Sequence, residues 1–210
     1  MRSFVYDAQP GRVVFGAGSL AGLADEVATL GAEKALVLST PEQREQAERV
    51  ADLLGGRSAG VYDQAVMHVP IETARAARDE AAARGADCAV AIGGGSTIGL
   101  AKAIALESDL PIVAVPTTYA GSEMTPIWAL TEAGVKRTGR DARVLPRTVV
   151  YDPELLVSLP GFITGPSGMN AIAHCVEALY AENANPVTSL MAEEGSRPDF
   201  PTPCSGRNEP

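Results

Sequence analysis

The 210-residue sequence is poor in basic charge, histidine, cysteine and aromatic side chains. Its 17 Lys and Arg against 26 Asp and Glu give a formal net charge of −9. Because phosphate backbones and anionic lipid surfaces are bound by clustered Lys and Arg, neither nucleic acid nor a membrane is expected as a partner. The three cysteines stand singly, without a C-x-x-C pair, which predicts small buried thiols in a reducing compartment rather than disulfides or a zinc site.

Long apolar runs are missing as well. No run reaches the roughly 18 apolar residues of a membrane span, and the N-terminal segment lacks the apolar stretch of a signal peptide. These absences predict a cytoplasmic protein. With 46% apolar residues, the chain can build a core without a disulfide or a metal.

Short apolar runs alternate with amphipathic stretches through the first part of the chain. Nearly continuous runs, typical of parallel strands covered on both faces, occupy residues 34–39, 88–92, 112–115 and 148–151. Helical periodicity is present in 42–54 and 71–84, and an extended segment at 12–15 precedes them. The alternation predicts an α/β fold, a doubly wound parallel sheet covered by helices, over residues 1–152.

Helical patterns replace the strands from about residue 153. The stretch 168–182 has an apolar face, and a second helix is predicted to begin at Pro186 with Asn185 as its N-cap. Residues 153–195 are therefore interpreted as the beginning of an all-α C-terminal domain whose remainder is missing. The last 15 residues contain four prolines and no periodicity, so 196–210 is predicted to be a disordered or non-native tail.

A glycine-rich turn is the strongest chemical signal. A buried strand runs into a turn and then a helix, with glycines and a hydroxyl at the junction: Gly93, Gly94, Gly95 and Ser96. Glycines let a ligand approach the backbone, and a helix N-terminus offers free N–H groups to a phosphate. The spacing matches neither G-x-G-x-x-G nor a P-loop, and a plain strand-to-helix turn remains the alternative.

Hydroxyl side chains follow two other predicted strands, as Ser39 and Thr40 and as Thr117 and Thr118. Ligands of open α/β sheets bind at the carboxyl ends of the strands, so these residues are expected in one crevice with the glycine turn. Turn and capping hydrogen bonds are the alternative explanation for each cluster taken alone.

A polar stripe lies on the predicted helix 168–182. At 100° per residue, Asn170, His174 and Glu177 share one side, opposite the apolar face. The stripe either faces solvent or lines a cleft. Asn170 is a weak metal ligand and His68 is the only other histidine, so a multi-histidine metal site cannot be assembled from the sequence.

Three blocks of sequence resemble the iron-containing alcohol dehydrogenase superfamily. They are GGGSTIGLAKAIAL from Gly93, PTTYAGSEMTPIWALTE from Pro116 and SGMNAIAHCVEALYAENANPV from Ser167. Within the superfamily they are most similar to the maleylacetate reductase branch. Gly99 and Asn170 stand where metal-dependent members carry Asp, so the resemblance implies that a bound metal is not expected.

The resemblance implies an oxidoreductase of aromatic-compound catabolism that uses NADH or NADPH to reduce maleylacetate, a dicarboxylate, to 3-oxoadipate. The cofactor's pyrophosphate would lie at Gly93, Gly94, Gly95 and Ser96, its nicotinamide half near Thr117 and Thr118, and its adenosine half near Ser39 and Thr40. His174 and Asn170 would be the catalytic residues, and Ser122 would contact a substrate carboxylate.

Several alternatives stay open at this point. The chain could belong to a metal-dependent alcohol or glycerol dehydrogenase of the same superfamily, or be a non-catalytic nucleotide-binding fragment. A homodimer is compatible with the sequence. No particular Lys or Arg is identified as the partner of the substrate's carboxylates.

Overall fold

The structure is a computed structural model that describes residues 3–6, 8–9, 11–157 and 159–197. Most of the predicted C-terminal tail, 198–210, therefore lies outside the described residues, as does Cys204. Within the described part of the chain, no helix combines the length and apolar character needed to cross a membrane.

Eight strands form a six-stranded sheet and a separate hairpin. The strands are β1 (Arg12–Phe15), β2 (Ala35–Leu38), β3 (Ser58–Tyr62), β4 (Cys88–Gly93), β5 (Ile112–Pro116), β6 (Ile127–Glu132), β7 (Val135–Arg140) and β8 (Thr148–Tyr151). All pairs in the larger sheet are parallel, in the order β1-β8-β5-β4-β2-β3. The predicted doubly wound α/β fold is confirmed.

Seven α-helices accompany these strands in the described residues. They are α1 (Leu23–Thr29), α2 (Arg44–Leu54), α3 (Ile71–Ala83), α4 (Gly95–Ser108), α5 (Glu154–Val157), α6 (Gly161–Tyr180) and α7 (Pro186–Gly195). The predicted cap of α7 is present, because the Asn185 side chain accepts hydrogen bonds from the backbone N–H groups of Val187 (3.0 Å) and Thr188 (3.2 Å).

Apolar layers cover both faces of the sheet. Successive residues of β4 alternate between them, so that Ala89 and Ala91 pack with α3 and α4 while Val90 and Ile92 pack with α1 and α2. The four central strands are buried on both sides, which explains their continuous apolar runs. This rigid double-faced core fixes the strand ends that carry the glycine turn and the hydroxyl clusters.

The β6–β7 hairpin was not predicted. Its strands are polar and largely exposed, with the sequence VKRTGR in β7, so no apolar run marks them. The two residues between the strands, Ala133 and Gly134, have φ of +48° and +76°, as two-residue hairpin turns require. The edge strand β3, half-buried throughout, was missed for the same reason.

Helix α6 begins seven residues before the predicted start at 168. Three glycines and Pro166 among its first eight residues mask the helical pattern. The predicted apolar face of this helix includes Ile172, Val176 and Leu179, and these side chains are 46%, 48% and 43% exposed. In the described residues this face is therefore only partly covered, where Cys175 meets Gly195 of α7.

Candidate functional site

The glycine turn joins β4 to α4 at the carboxyl edge of the sheet. Gly93 has φ +150°, and a Cβ there would lie 2.5 Å from Thr97 Oγ1 and 2.8 Å from Gln43 Oε1. A Cβ on Gly94 would lie 3.0 Å from Thr118 Cγ2, whereas one on Gly95 would meet only Ala120, at 3.9 Å. The chain's own packing thus requires glycine at 93 and would crowd a side chain at 94, whereas Gly95 leaves its side open.

The N-terminus of α4 is free to bind an anion. Its N-cap, Gly94, makes no side-chain capping hydrogen bond, so the N–H groups of the first turn are not occupied by a cap. Gly95 is exposed and Ser96 half-buried, so this end of the helix is accessible. Backbone donors and the positive end of the helix dipole together suit a phosphate or carboxylate.

A cavity of about 630 Å³, here called the α2 cavity, lies on one side of this turn. Its wall includes the start of α2, Gly94, Thr40, Thr117 and Thr118. It lies where the strand order reverses, between β2 and β4, which is the usual ligand crevice of an open α/β sheet. Gln43, which the sequence did not suggest, donates from Nε2 to Thr117 Oγ1 (3.0 Å) and ties the two strand ends together.

A second cavity of about 660 Å³, the hairpin cavity, lies on the other side of the turn. Gly95, Ser96 and Ser122 form part of its wall, together with Trp128 of the hairpin. Every ionisable side chain that lines it is a base: Lys102, Lys136, His68 and His174. In a chain with a net charge of −9 and two histidines in all, this is a local concentration of basic groups.

Lys102 is the buried member of this group, only 1% exposed. Its ammonium donates to the carbonyl oxygens of Ser122 (2.6 Å), Thr125 (2.7 Å) and Ile127 (2.8 Å). Burial lowers the pKa of Lys102 from 10.5 to about 8, and the charge of Glu123 partly offsets that shift. All three N–H bonds of the ammonium are used by carbonyl groups of the cavity wall. Lys102 therefore contributes its positive charge and the shape of the wall, and it has no N–H left to donate to a ligand.

The turn that carries Ser122 is fixed from the other side by a buried acid. Tyr151 Oη donates to Glu123 Oε1 (2.7 Å), and Glu123 is 3% exposed. Burial together with this neighbouring carboxylate raises the pKa of Tyr151 well above its usual range. Ser122 is therefore held between Lys102 of α4 and the end of β8.

The predicted polar stripe on α6 is divided by the structure. His174 lines the hairpin cavity, but Asn170 is exposed and lines neither of the two large cavities. The backbone N–H of Tyr119 donates to Ser167 Oγ (2.9 Å), which fixes α6 against the loop after β5. His174 Nδ1 lies 3.6 Å from Glu177 Oε2 on the exposed helix surface.

The predicted cofactor residues fall into three groups. Gly94, Thr40, Thr117 and Thr118 line the α2 cavity, and Gly95 and Ser96 line the hairpin cavity. Gly93 is buried beneath the turn. Ser39 is fully buried and lines neither cavity, and its Oγ has no hydrogen-bond partner among the described residues.

Three functional candidates were missed from sequence. Lys136 lies in the unpredicted hairpin, Lys102 is an interior residue of α4, and the sequence suggests for His68 no role except that of a metal ligand. A basic residue within an otherwise apolar helix, as at Lys102, was the one available signal.

A metal site is not formed by the residues the structure describes. They contain no group of three His, Cys, Asp or Glu side chains that could hold an ion. Exposed Glu177 is the one acidic side chain paired with His174 in the described part of the chain. The side chains around His174 therefore do not fit a metal ion.

Together, the parallel sheet, the uncapped glycine turn and the crevice at the strand-order reversal define a Rossmann-like α/β domain. Residues 10–153 match the family model described as iron-containing alcohol dehydrogenase. The chain belongs to that family. The family's name refers to iron, so the expectation that a metal is absent receives no support from membership.

Individual relatives agree with this assignment. The chain is 65% identical over 197 residues to a maleylacetate reductase of Burkholderia cepacia, covering 94% of this chain and 56% of that protein. The structure of maleylacetate reductase from Agrobacterium tumefaciens superposes with a TM-score of 0.90 at 53% identity, over 91% of this chain and 55% of that one. An iron-containing alcohol dehydrogenase from Corynebacterium glutamicum gives 0.88 at 47%, over 92% and 54%. The chain thus spans about half the length of these relatives.

Proposed function

We propose that this chain forms the nucleotide-binding part of an NAD(P)H-dependent maleylacetate reductase, which converts maleylacetate to 3-oxoadipate. The observation that carries the proposal is the pair of cavities meeting at one uncapped helix N-terminus. One cavity follows the strand ends as a dinucleotide would, and the other is lined by basic side chains as a dicarboxylate requires. Relatives at 53–65% identity bear the same name.

The residues present fit a dinucleotide. The turn at Gly94 and Gly95 brings backbone donors to the boundary of the two cavities, where a pyrophosphate would join the halves of the cofactor. Thr117 and Thr118 would flank it, and Thr40 would face the adenosine half. Ser39, whose buried Oγ lacks a partner, would need the strand end to shift before it could contact a ligand.

Bound NAD(P)H would supply the hydride that saturates the carbon–carbon double bond. Hydride addition to a carbon conjugated with a carbonyl leaves an enolate, which needs positive charge and a proton. His174 lines the cavity and is placed to donate that proton, while Lys102 stabilises negative charge through its field. Ser122, held by Lys102, would donate to a carboxylate. The catalytic role of Asn170 has less geometric support, because Asn170 lies outside the cavity.

Cofactor binding is tested first with the 210-residue chain by titrating NADH and following its fluorescence. Saturable binding that ADP-ribose displaces supports the proposal. Absence of binding by a chain that melts cooperatively would refute a nucleotide role for the glycine turn. Turnover is then measured with maleylacetate in a protein of the relatives' full length that contains this sequence.

In that longer protein, His174→Ala and Asn170→Ala separate catalysis from cofactor binding. We expect His174→Ala to lower turnover with little change in NADH affinity. Glu182→Gln serves as a control, because Glu182 lies beyond the C-terminal end of α6 and outside both cavities. Equal losses of turnover and NADH affinity would contradict a substrate-side role for His174.

The two rival functions give different outcomes in the same assays. Metal-dependent oxidation of simple alcohols, appearing only after Fe²⁺ or Zn²⁺ is added, would favour an alcohol or glycerol dehydrogenase. NADH binding without maleylacetate turnover in the longer protein would favour a non-catalytic nucleotide-binding module.

A further inference from the structure

The segment that carries His68 has an unusual backbone. His68 and Val69 follow one another with φ of +65° and +41°, in the left-handed region that β-branched residues rarely adopt. Such conformations persist only where the surrounding structure imposes them, and they concentrate at ligand sites.

Two neighbours impose this conformation. Thr131 of β6 donates from Oγ1 to the carbonyl oxygen of His68 (2.8 Å), and its backbone N–H donates to that of Val69 (3.1 Å). On the other side, Val69 is buried against α4, where a Cβ on Gly99 would lie 2.9 Å from Val69 Cγ2. Glycine at 99 is therefore needed for the segment to pack as it does.

This backbone arrangement determines the position of the exposed His68 side chain. Val69 is the buried anchor, whereas the imidazole of His68 is exposed and lines the hairpin cavity. Lys102 has all its N–H groups engaged by the wall, so the basic groups left to donate to a ligand are His68, Lys136 and His174. They are carried by different elements, as recognition of two separate anionic groups requires.

We propose that His68 is a specificity-determining residue, which donates to one carboxylate of a dicarboxylate bound in the hairpin cavity and is held there by the clamp of Thr131 and Gly99. This inference rests on the function proposed above and adds to it the residue that distinguishes a diacid from a monoacid. A hydrogen bond to a charged group is worth more than one to a neutral group, so its loss has a measurable effect.

The test uses the 210-residue chain, with maleate as the dicarboxylate probe and isocrotonate as the monocarboxylate of the same cis geometry, and measures binding by calorimetry. The variant is His68→Asn, because Asn tolerates a left-handed backbone while removing the imidazole. We expect maleate affinity to fall about tenfold, isocrotonate affinity to stay unchanged, and the ratio of the two to fall accordingly.

A matched pair of variants tests the clamp. Thr131→Val removes the hydroxyl that holds the carbonyl of His68 and keeps the side-chain shape, and we expect it to lower maleate affinity in the same direction. Thr138→Val makes the same change at an exposed position of β7 outside the cavity and should have no effect. Circular dichroism confirms that each variant is folded.

Unchanged maleate affinity in His68→Asn would overturn the inference, and so would the absence of maleate binding by the unaltered chain. An NADH titration of the same samples separates this failure from failure of the proposed function. If no variant binds NADH, the proposed function fails. If NADH binds while maleate affinity is absent or indifferent to residue 68, only the present inference fails.

Discussion

The two cavities beside the glycine turn share one helix N-terminus but differ in charge and in construction. The α2 cavity is lined by Glu42, Glu45 and Arg49, and Arg49 is paired with Glu45. The hairpin cavity has only basic groups among its ionisable residues. The acidic groups outnumber the basic ones in the α2 cavity, whereas the hairpin cavity has no acidic lining residue.

The way the two cavities are built explains why the α2 cavity could be predicted from the sequence and the hairpin cavity could not. Regular elements of the main sheet supply most of the α2 cavity, at the ends of β2, β4 and β5. The hairpin cavity is assembled from a polar hairpin, a strained turn and one face of α4. Buried Lys102 ties α4 to the start of the hairpin, and Thr131 ties the hairpin to the strained turn. The basic character of the hairpin cavity thus depends on a turn and a hairpin whose positions are fixed by a few polar contacts.

The largest expected effect comes from removing the support of the hairpin cavity. Lys102→Met leaves three carbonyl oxygens without their donor, and we expect it to lower the free energy of unfolding by about 3 kcal/mol in urea denaturation. Lys136→Met, which removes an exposed lysine of the same cavity, should change stability by less than about 0.5 kcal/mol. Similar stability of the two variants would show that the wall does not depend on Lys102.

A pH series measures the same buried charge. The pKa of Lys102 is lowered to about 8 from 10.5, so the folded protein loses this proton before the unfolded chain does. Between pH 8 and 10.5 the unfolded chain holds more protons at this site, and Lys102 therefore makes stability rise with pH, by up to about 1.4 kcal/mol per unit. Below pH 8 its contribution is constant.

The comparison with Lys102→Met isolates this effect. Cys88, whose pKa burial raises to about 12, acts in the opposite direction because the unfolded thiol ionises first. Both proteins share that background. The difference in unfolding free energy between the unaltered chain and Lys102→Met should grow from pH 8 to 10, and a constant difference would contradict the lowered pKa.

The core of the fold followed from sequence because burial leaves a periodic signal. The runs at β2, β4, β5 and β8 are apolar since helices cover both faces, and the cap at Asn185 is a local hydrogen-bonding preference. The hairpin and the start of α6 have no such periodic signal. Because tertiary contacts hold them in place, the propensities of their residues did not predict a hairpin or a helix there.

The candidate site likewise contains residues that could be predicted from sequence and residues that could not. Gly94, Thr117 and Thr118 could be placed because strand ends converge in any parallel sheet. His68 and Lys136 could not, because their approach depends on a left-handed turn and a hairpin whose position only three-dimensional contacts define. Helical spacing groups His174 with Asn170, and in the structure His174 lines the hairpin cavity whereas Asn170 lines neither of the two large cavities.

The role of the glycine turn can be separated from its packing. Gly94→Ala places a Cβ against Thr118, and we expect NADH affinity to fall at least about tenfold. In a Thr118→Ala background the nearest contact becomes Thr118 Cβ, at 3.7 Å, so the packing conflict disappears. We expect Gly94→Ala to remain harmful there relative to Thr118→Ala alone, as measured by fluorescence titration. Full recovery would mean that the glycine serves only the fold.

The smallest expected effect concerns the acidic side of the comparison. Hydrogen bonds from its own backbone and from Thr40 lower the pKa of Glu42, so this carboxylate is ionised where the adenosine half would lie. NADPH carries an added phosphate, and we expect it to bind a few-fold more weakly than NADH, since like charges a few ångströms apart in water cost about 1 kcal/mol.

Glu42→Gln should narrow the gap between NADH and NADPH affinity by raising NADPH affinity alone. Glu48→Gln, on the exposed side of α2 and outside the cavity, should leave that gap unchanged. High salt should narrow the gap in the unaltered chain as well, because it screens the same repulsion. Equal affinities for the two cofactors at low salt would show that the charge of the α2 cavity does not reach its ligand.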